Sequence, residues 1–470
     1  MSHLRRMSIG KCKATICLKF IVVGGNIAGL AAAYAVRNAG HDVLVIEKSD
    51  GSRRNRGGLR SPPNMTKILN DWGLQIPLSK ISEKCKLFSL HNGGTGKFIG
   101  SMNMNESFLS HLPGEFLFMQ HSDLEELLYE TARRSGVKFM YNTEVLDADS
   151  EEVSVILSTG EVLKADVIVG ADGCDSVLRP VVAEDLEDVD GSQEKKIWIN
   201  FVVPLDVLEA DEEFQGLLDP SKWTLWLGSG FVITASLLAG GKQLAVSLLG
   251  NYTRPLNEGD EVWQTYSSFE EYKLEYSDMA PILKKLLKAA TCLTSRVCRV
   301  RPHLDSLVCD QARICLVGEA AHPILPSGHH MSGMALEDAQ TLGMLFSKVS
   351  RLDEIAPLLT AYEEIRQPRV SAVQVYEMKQ QAMLSCPAGA RMEKRDRILN
   401  ETLVHPDWEK MDEKTFDMVW GNEIGICSHD ATDQVEDWWT QWGAYFERTH
   451  TLPNRRSALD LAGKGKMVEK

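Results

Sequence analysis

A glycine turn near the N-terminus constrains the fold more than any other stretch of this chain. The segment reads Phe20-Ile-Val-Val-Gly-Gly-Asn-Ile-Ala-Gly-Leu30 and runs on into Ala31-Ala-Ala-Tyr-Ala-Val-Arg37. The apolar run Ile21 to Val23 breaks at Gly24-Gly25, and an Ala-rich helix former follows. A second apolar run, Asp42-Val-Leu-Val-Ile-Glu47, ends on an acid. Strand, tight turn, helix, strand and terminal carboxylate is the order of a βαβ dinucleotide-binding unit. The turn passes close to a pyrophosphate, so side chains are unwelcome there. The helix N-terminus offers N–H groups and a positive dipole end to the phosphates. Glu47 is then placed to accept from ribose hydroxyls. The usual spacing is G-x-G-x-x-G; Gly24 and Gly29 keep the outer positions, and Asn26 stands in the middle one. An ordinary strand-turn-helix of an α/β protein would also fit these residues, so the remainder of the chain has to decide.

Two later segments repeat the theme of an apolar strand running into Gly and an acid. Ala165-Asp-Val-Ile-Val-Gly-Ala-Asp172-Gly173 is followed by Ser176 and Arg179 at a helix start. Arg313-Ile-Cys-Leu-Val-Gly318-Glu319 leads into a Gly/Pro/His loop, Ile324-Leu-Pro-Ser-Gly-His-His-Met-Ser-Gly333, and a long helix from Met334 to Phe346. Acids beside glycines at strand ends are where an α/β sheet meets its ligand. The loop after Glu47 carries Arg53, Arg54, Arg56 and Arg60 around Gly57-Gly58, which suits an anionic ligand or a solvated basic loop.

Between these segments the pattern changes. Residues 197–203, 223–227, 231–238 and 243–249 read as strands in series with glycine turns, the mark of an antiparallel sheet. Residues 85–112 read as short strands and turns, and 153–163 as a hairpin around Ser158-Thr-Gly160. Helices are expected near 63–73 (Pro63 at its start, Gly73 at its end), 120–134 (capped by Ser122 or Asp123), 261–275 and 279–290. They are also expected from Leu358 through Tyr362-Glu-Glu-Ile-Arg-Gln-Pro-Arg369 to about Met383. The Trp-rich tail reads as helices packing back on the body.

At 470 residues the chain is too long for one core. Its net charge of −14 argues against nucleic acid and anionic membrane surfaces as partners. Ten cysteines without a C-x-x-C pair point to reduced thiols and a cytoplasmic location, with no metal site. No run of 18 apolar residues is present to cross a membrane. The basic segment Met1 to Lys19 reads as a flexible arm rather than a targeting sequence.

The three strand-end segments, in this order, resemble the class A flavoprotein monooxygenases of the salicylate-hydroxylase-like, fungal type, over residues 18 to about 445. The resemblance implies an α/β fold: a discontinuous Rossmann-like FAD-binding domain (18–80, 118–182, 297–375), a mainly antiparallel substrate domain (81–117, 183–296) and a helical C-terminal region (376–470) with a disordered tail. It implies FAD held by Gly24, Gly25, Asn26, Gly29, Glu47, Gly57, Gly58, His121, Asp172, Gly173, Gly318, Glu319, Pro326, Ser332 and Gly333. The reductant is NADPH or NADH, dioxygen is the co-substrate, and a flavin hydroperoxide hydroxylates a small aromatic or polyketide/terpenoid-like molecule, plausibly in secondary metabolism. An epoxidase or a non-catalytic FAD-binding protein on the same scaffold are the alternatives. Three departures stand out: Asn26, Glu319 where the family has Asp, and His121 where it has Arg. The family's loop reads P-x-x-G-Q-G, against Pro326-Ser-Gly-His-His-Met-Ser-Gly333 here. His329 and His330 would then lie near the flavin ring, and Tyr252 and Arg254 are the polar candidates of the substrate sheet, beside Trp198, Trp223 and Trp226.

Overall fold

A computed structural model describes residues 13–52, 57–104, 109–110, 112–183, 195–238, 240–252, 254–255, 263–272, 277–299, 303–323, 330–403, 412, 414 and 417–443. His329, Pro326, most of the basic arm and the last residues of the tail lie outside them.

Five strands form a parallel sheet: β1 (Lys19–Val23), β2 (Asp42–Ile46), β3 (Lys138–Met140), β4 (Val167–Gly170) and β5 (Ile314–Leu316), in the order β5-β4-β1-β2-β3. Helix α1 (Ile27–Ala39) connects β1 to β2, and α2 (His121–Ser135) precedes β3. α3 (His330–Phe346) follows β5 and leads to the 30-residue α4 (Ile355–Leu384). The direction of the strand order reverses beside β1, so the ends of β1, β4 and β5 share one edge, a topological switch point. Backbone bonds stitch these ends: Ala171 N–H donates to Val23 C=O, and Val317 N–H to Gly170 C=O, at 2.8 and 2.9 Å. The apolar runs seen in sequence are buried because both faces of this sheet are covered.

An eight-stranded sheet stands opposite. Its order by residue is 264–266, 291–299, 195–204, 243–251, 231–237, 222–227, 87–92, 98–103. All pairs are antiparallel except Lys222–Leu227 with Leu87–Asn92, which is parallel. Ile197, Ile199, Phe201 and Val203 point to a core under helix Pro281–Lys288. The alternate residues point to the other face, toward the parallel-sheet unit, where Gly58 abuts Ala245.

The expected strands, the 153–163 hairpin and the helix from Pro63 are present. Two details differ. The stretch expected as one helix over 261–275 contains a strand, Gln264–Tyr266, and a single turn, Phe269–Tyr272, because Thr265 and Tyr266 complete the sheet edge beside Thr291–Arg299. Helix α2 starts at His121 without a side-chain cap, so neither Ser122 nor Asp123 plays that part. As expected, α4 continues through Pro368. Cys17, Cys85, Cys174, Cys298, Cys309, Cys315, Cys386 and Cys427 are free thiols. No helix there is long and apolar enough to cross a membrane.

Candidate active site

The ends of β1, β4 and β5 open into a cleft of about 500 Å³ lined by Gly24, Asn26, Glu47, His121, Asp172, Gly173, Gly318, Glu319 and Ser332. Residues separated by up to 308 positions are thus brought to one groove. Gly25, Gly29, Gly57, Gly58 and Gly333 stand outside its lining. Gly25 and Gly29 shape it from behind, and Gly57 C=O accepts from His121 N–H at 2.9 Å. Gly333 packs within α3 against Pro62.

The first turn is built by close approach. Gly24 has φ of +106°, and a Cβ there would meet Ala171 O at 2.3 Å; a Cβ on Gly29 would meet Gly24 O at 2.0 Å. Both positions exclude any side chain. Asn26 explains its own departure from the glycine pattern. Its Oδ1 accepts from Ala28 and Gly29 N–H at 3.0 and 3.2 Å, capping α1. Its Nδ2 donates to Ala171 C=O at 2.7 Å, tying the first turn to the end of β4. Glu47 also closes the turn: its two oxygens accept from Gly25 N–H at 2.6 Å and Ser49 N–H at 2.8 Å.

Asp172 Oδ2 accepts from Val177 N–H at 2.8 Å, while its buried Oδ1 has no partner among the described residues. Burial outweighs its hydrogen bonds and raises its pKa. Glu319 is paired with Arg296 at 2.7 Å. Arg296 stands over the Trp198 and Trp263 rings, at 5.4 and 5.2 Å, and these rings also touch each other. Burial opposes the Arg296 charge, but Glu319 outweighs it and holds its pKa above the ordinary value. Arg296 comes from the eight-stranded sheet and was not read as a site residue. Its one sequence signal is a lone cation inside a β-patterned run.

Behind the cleft lies a buried ionic network. Asp338 on α3 accepts from Gly318 N–H at 2.9 Å and Arg366 Nε at 2.8 Å, and stands 2.6 Å from His322 Nε2. Glu337 accepts from Arg366, Arg369 and Asn64 at 2.8, 2.9 and 2.7 Å. Tyr362 OH donates to Leu316 C=O at 2.8 Å. Tyr362 and Arg366 lie on the helix resembling the family's, and here they fix the Gly318 turn from below, through Leu316 C=O and Asp338.

Three expected catalytic side chains do not reach the cleft. His330 is buried at the start of α3, 3.4 Å from Glu423 of the C-terminal region and edge-on to Tyr376. Burial pulls its pKa down, but Glu423 and Glu377 outweigh it and raise it above the usual imidazole value. The first turn of α3 aims Met331 and Ser332, not His330, at the groove. Tyr252 OH donates to Pro255 C=O at 3.3 Å, and exposed Arg254 stacks over Tyr272 and donates to its C=O. Both sit past the end of the strand Gln243–Asn251, where the alternation that would aim a side chain inward has stopped. Of the tryptophans, Trp198 lines the cleft, Trp223 packs against Phe88, and Trp226 is turned into the opposite core.

Comparison with known proteins gives a consistent picture. Residues 18–375 match the model of the FAD binding domain family. The FAD-dependent monooxygenase OpS4 of Beauveria bassiana (strain ARSEF 2860) is 27% identical over 384 residues, covering 81% of this chain and 89% of its own. Hispidin-3-hydroxylase of Neonothopanus nambi is 27% identical over 383 residues, covering 77% and 88%. A solved salicylate hydroxylase substrate complex superposes with a TM-score of 0.66 at 18% identity, covering 88% of this chain and 97% of that one.

Proposed function

We propose that this chain, which belongs to the FAD binding domain family, is an FAD-dependent monooxygenase. It takes reducing equivalents from NADPH or NADH and inserts one oxygen atom of dioxygen into a small aromatic or polyketide/terpenoid-like molecule. The observation that carries this reading is the convergence of Gly24, Glu47, Asp172, Gly173, Gly318 and Glu319 on one groove.

The residues present fit FAD. The Gly24 turn leaves room for a pyrophosphate at the N-terminus of α1. Asp172 Oδ1 is an orphaned buried acceptor that a ligand hydroxyl or N–H would satisfy. Glu47 has oxygens committed to Gly25 and Ser49, each with a lone pair left for a ribose hydroxyl. Bound FAD supplies the hydride acceptor and the dioxygen chemistry, while the protein supplies binding, orientation and exclusion of water. Glu319, held by Arg296, offers its remaining acceptor positions toward the middle of the groove. Trp198, Trp263 and Arg296 close the groove on the side of the eight-stranded sheet, which excludes water from that end.

On this reading the segments 18–80, 118–182 and 297–375 hold the cofactor, 81–117 and 183–296 the substrate, and the region from 376 braces both. Two relatives carry monooxygenase or hydroxylase names, which supports oxygen insertion. Free thiols on eight described cysteines support a reducing, cytoplasmic setting. The test is direct. The purified protein should carry FAD, bleach with NADPH or NADH without air, and incorporate label from labelled dioxygen into a product. A colourless protein that never oxidises either nicotinamide would sink the proposal.

A further inference from the structure

Arg60 is a cation with no counter-ion among the described residues, at the junction of the two sheets. Its strand, Gly58–Ser61, lies against the inward face of the eight-stranded sheet. The guanidinium stacks on Trp223 at 4.3 Å, and one terminal nitrogen donates to Thr234 Oγ1 at 2.7 Å. Its Nε is buried with no partner, and no carboxylate is within ion-pair distance of it among the described residues. Burial lowers its pKa to about 9, against the opposing effect of the Cys85 thiol. A buried cation is strongly unfavourable until an anion pairs with it.

A second, independent observation lies two strands away. Asn200 is 1% exposed, and both polar atoms of its side chain lack partners among the described residues. The register sets Asn200 opposite Ser247, and Ser247 opposite Thr234. These three residues form a polar row on the face turned toward the parallel-sheet unit, and Thr294, opposite Asn200, continues it. Ser247 is already engaged by Trp198 Nε1 at 2.8 Å. Two strand spacings put Asn200 roughly 10 Å from Thr234, the span of one substituted aromatic ring. Trp198, two residues before Asn200 on the same face, lines the cofactor cleft. The row thus begins where the cleft ends.

Resting on the monooxygenase reading, we infer that Arg60 and Asn200 are the two poles of the substrate subsite, and that the substrate is an acidic small molecule. Its carboxylate, or an equally acidic ring oxygen, pairs with Arg60, whose planar fork suits two oxygens at once. Asn200, a donor and an acceptor, takes a hydroxyl or carbonyl at the far end. Trp223 provides a flat wall beside the anion.

The experiment uses FAD-loaded enzyme and two probes of one shape, benzoate and benzamide, with affinity read from ligand-dependent thermal stabilisation. Wild type should bind benzoate at least tenfold more tightly than benzamide. Arg60→Met should abolish that preference and Arg60→Lys should keep part of it. Asn200→Leu should leave the preference intact while raising the melting temperature, because a buried unpaired amide is removed. Equal affinity for both probes in wild type, or an undiminished preference in Arg60→Met, overturns the assignment to Arg60. A lowered melting temperature in Asn200→Leu overturns the assignment to Asn200. None of these readouts needs turnover, so loss of monooxygenase activity as the reading would appear separately, in nicotinamide oxidation by the same wild-type sample.

Discussion

Asp338 is fully buried, and its carboxylate is the hub on which the Gly318 turn hangs. Asp338→Ala removes the acceptor for Gly318 N–H and Arg366 Nε together and parts His322 from its 2.6 Å neighbour. Arg366 then keeps Glu337 as its one carboxylate among the described residues, and shares it with Arg369. Breaking a buried ion pair from one side costs about 3–5 kcal/mol, because the partner charge stays buried. Domains have only about 5–15 kcal/mol to lose, so the variant should sit close to unfolding. Asp338→Asn keeps an acceptor for Gly318 while losing the charge, and should fall between. The assay is urea denaturation of the FAD-loaded proteins, followed by far-UV circular dichroism and by flavin fluorescence. Flavin release should precede loss of helix in Asp338→Ala, since the turn it supports lines the groove. An Asp338→Ala protein within about 1 kcal/mol of wild type, with its flavin retained, would refute the reasoning.

Other consequences follow from single contacts. Asn26→Ala should cost about 1–2 kcal/mol through the lost α1 cap and should lower FAD affinity; Asn26→Gly should cost less, and denaturation midpoints of the pair decide it. Gly24→Ala should abolish flavin binding, since its Cβ would lie 2.3 Å from Ala171 O, and flavin content of the purified protein checks this. Burial lowers the His429 pKa to about 4, below the usual 6.5, although Glu337 opposes it. The folded pKa is depressed, so this contribution is full above pH 6.5, declines as pH falls, and is lost by about pH 4. Its size is on the order of 3 kcal/mol. Thermal melts of His429→Gln should be flatter than wild type across that window.

What the sequence made legible was whatever is local. Gly24, Asp172-Gly173 and Gly318-Glu319 are each short signals in which an apolar period stops at a glycine. The structure assembles all of them because parallel strands carry their ends to one edge. The Asn26 departure was visible, but its reason was not: its Nδ2 bonds a residue 145 positions away. Arg296 and Glu319 come from different sheets, so neither residue type nor spacing could pair them. His330 was misplaced for a smaller reason. The helix begins at His330, inside the stretch read as a loop up to Gly333, and its first turn carries the side chain toward Glu423 instead of the groove. The Asp338 network is invisible in periodicity, since acids and arginines on long helices ordinarily read as solvated faces. Similarly, Arg60 read as one of four loop arginines until its strand placed it against Trp223.

The central claim is that three strand ends make one FAD site, and flavin stoichiometry after purification tests it most directly. Wild type should carry FAD at close to one per chain, and substitution at any one strand end (Glu47→Ala, Asp172→Ala or Glu319→Ala) should lower it. Flavin content that is unchanged in all three variants, or absent from a folded wild-type protein supplied with FAD, would contradict the account.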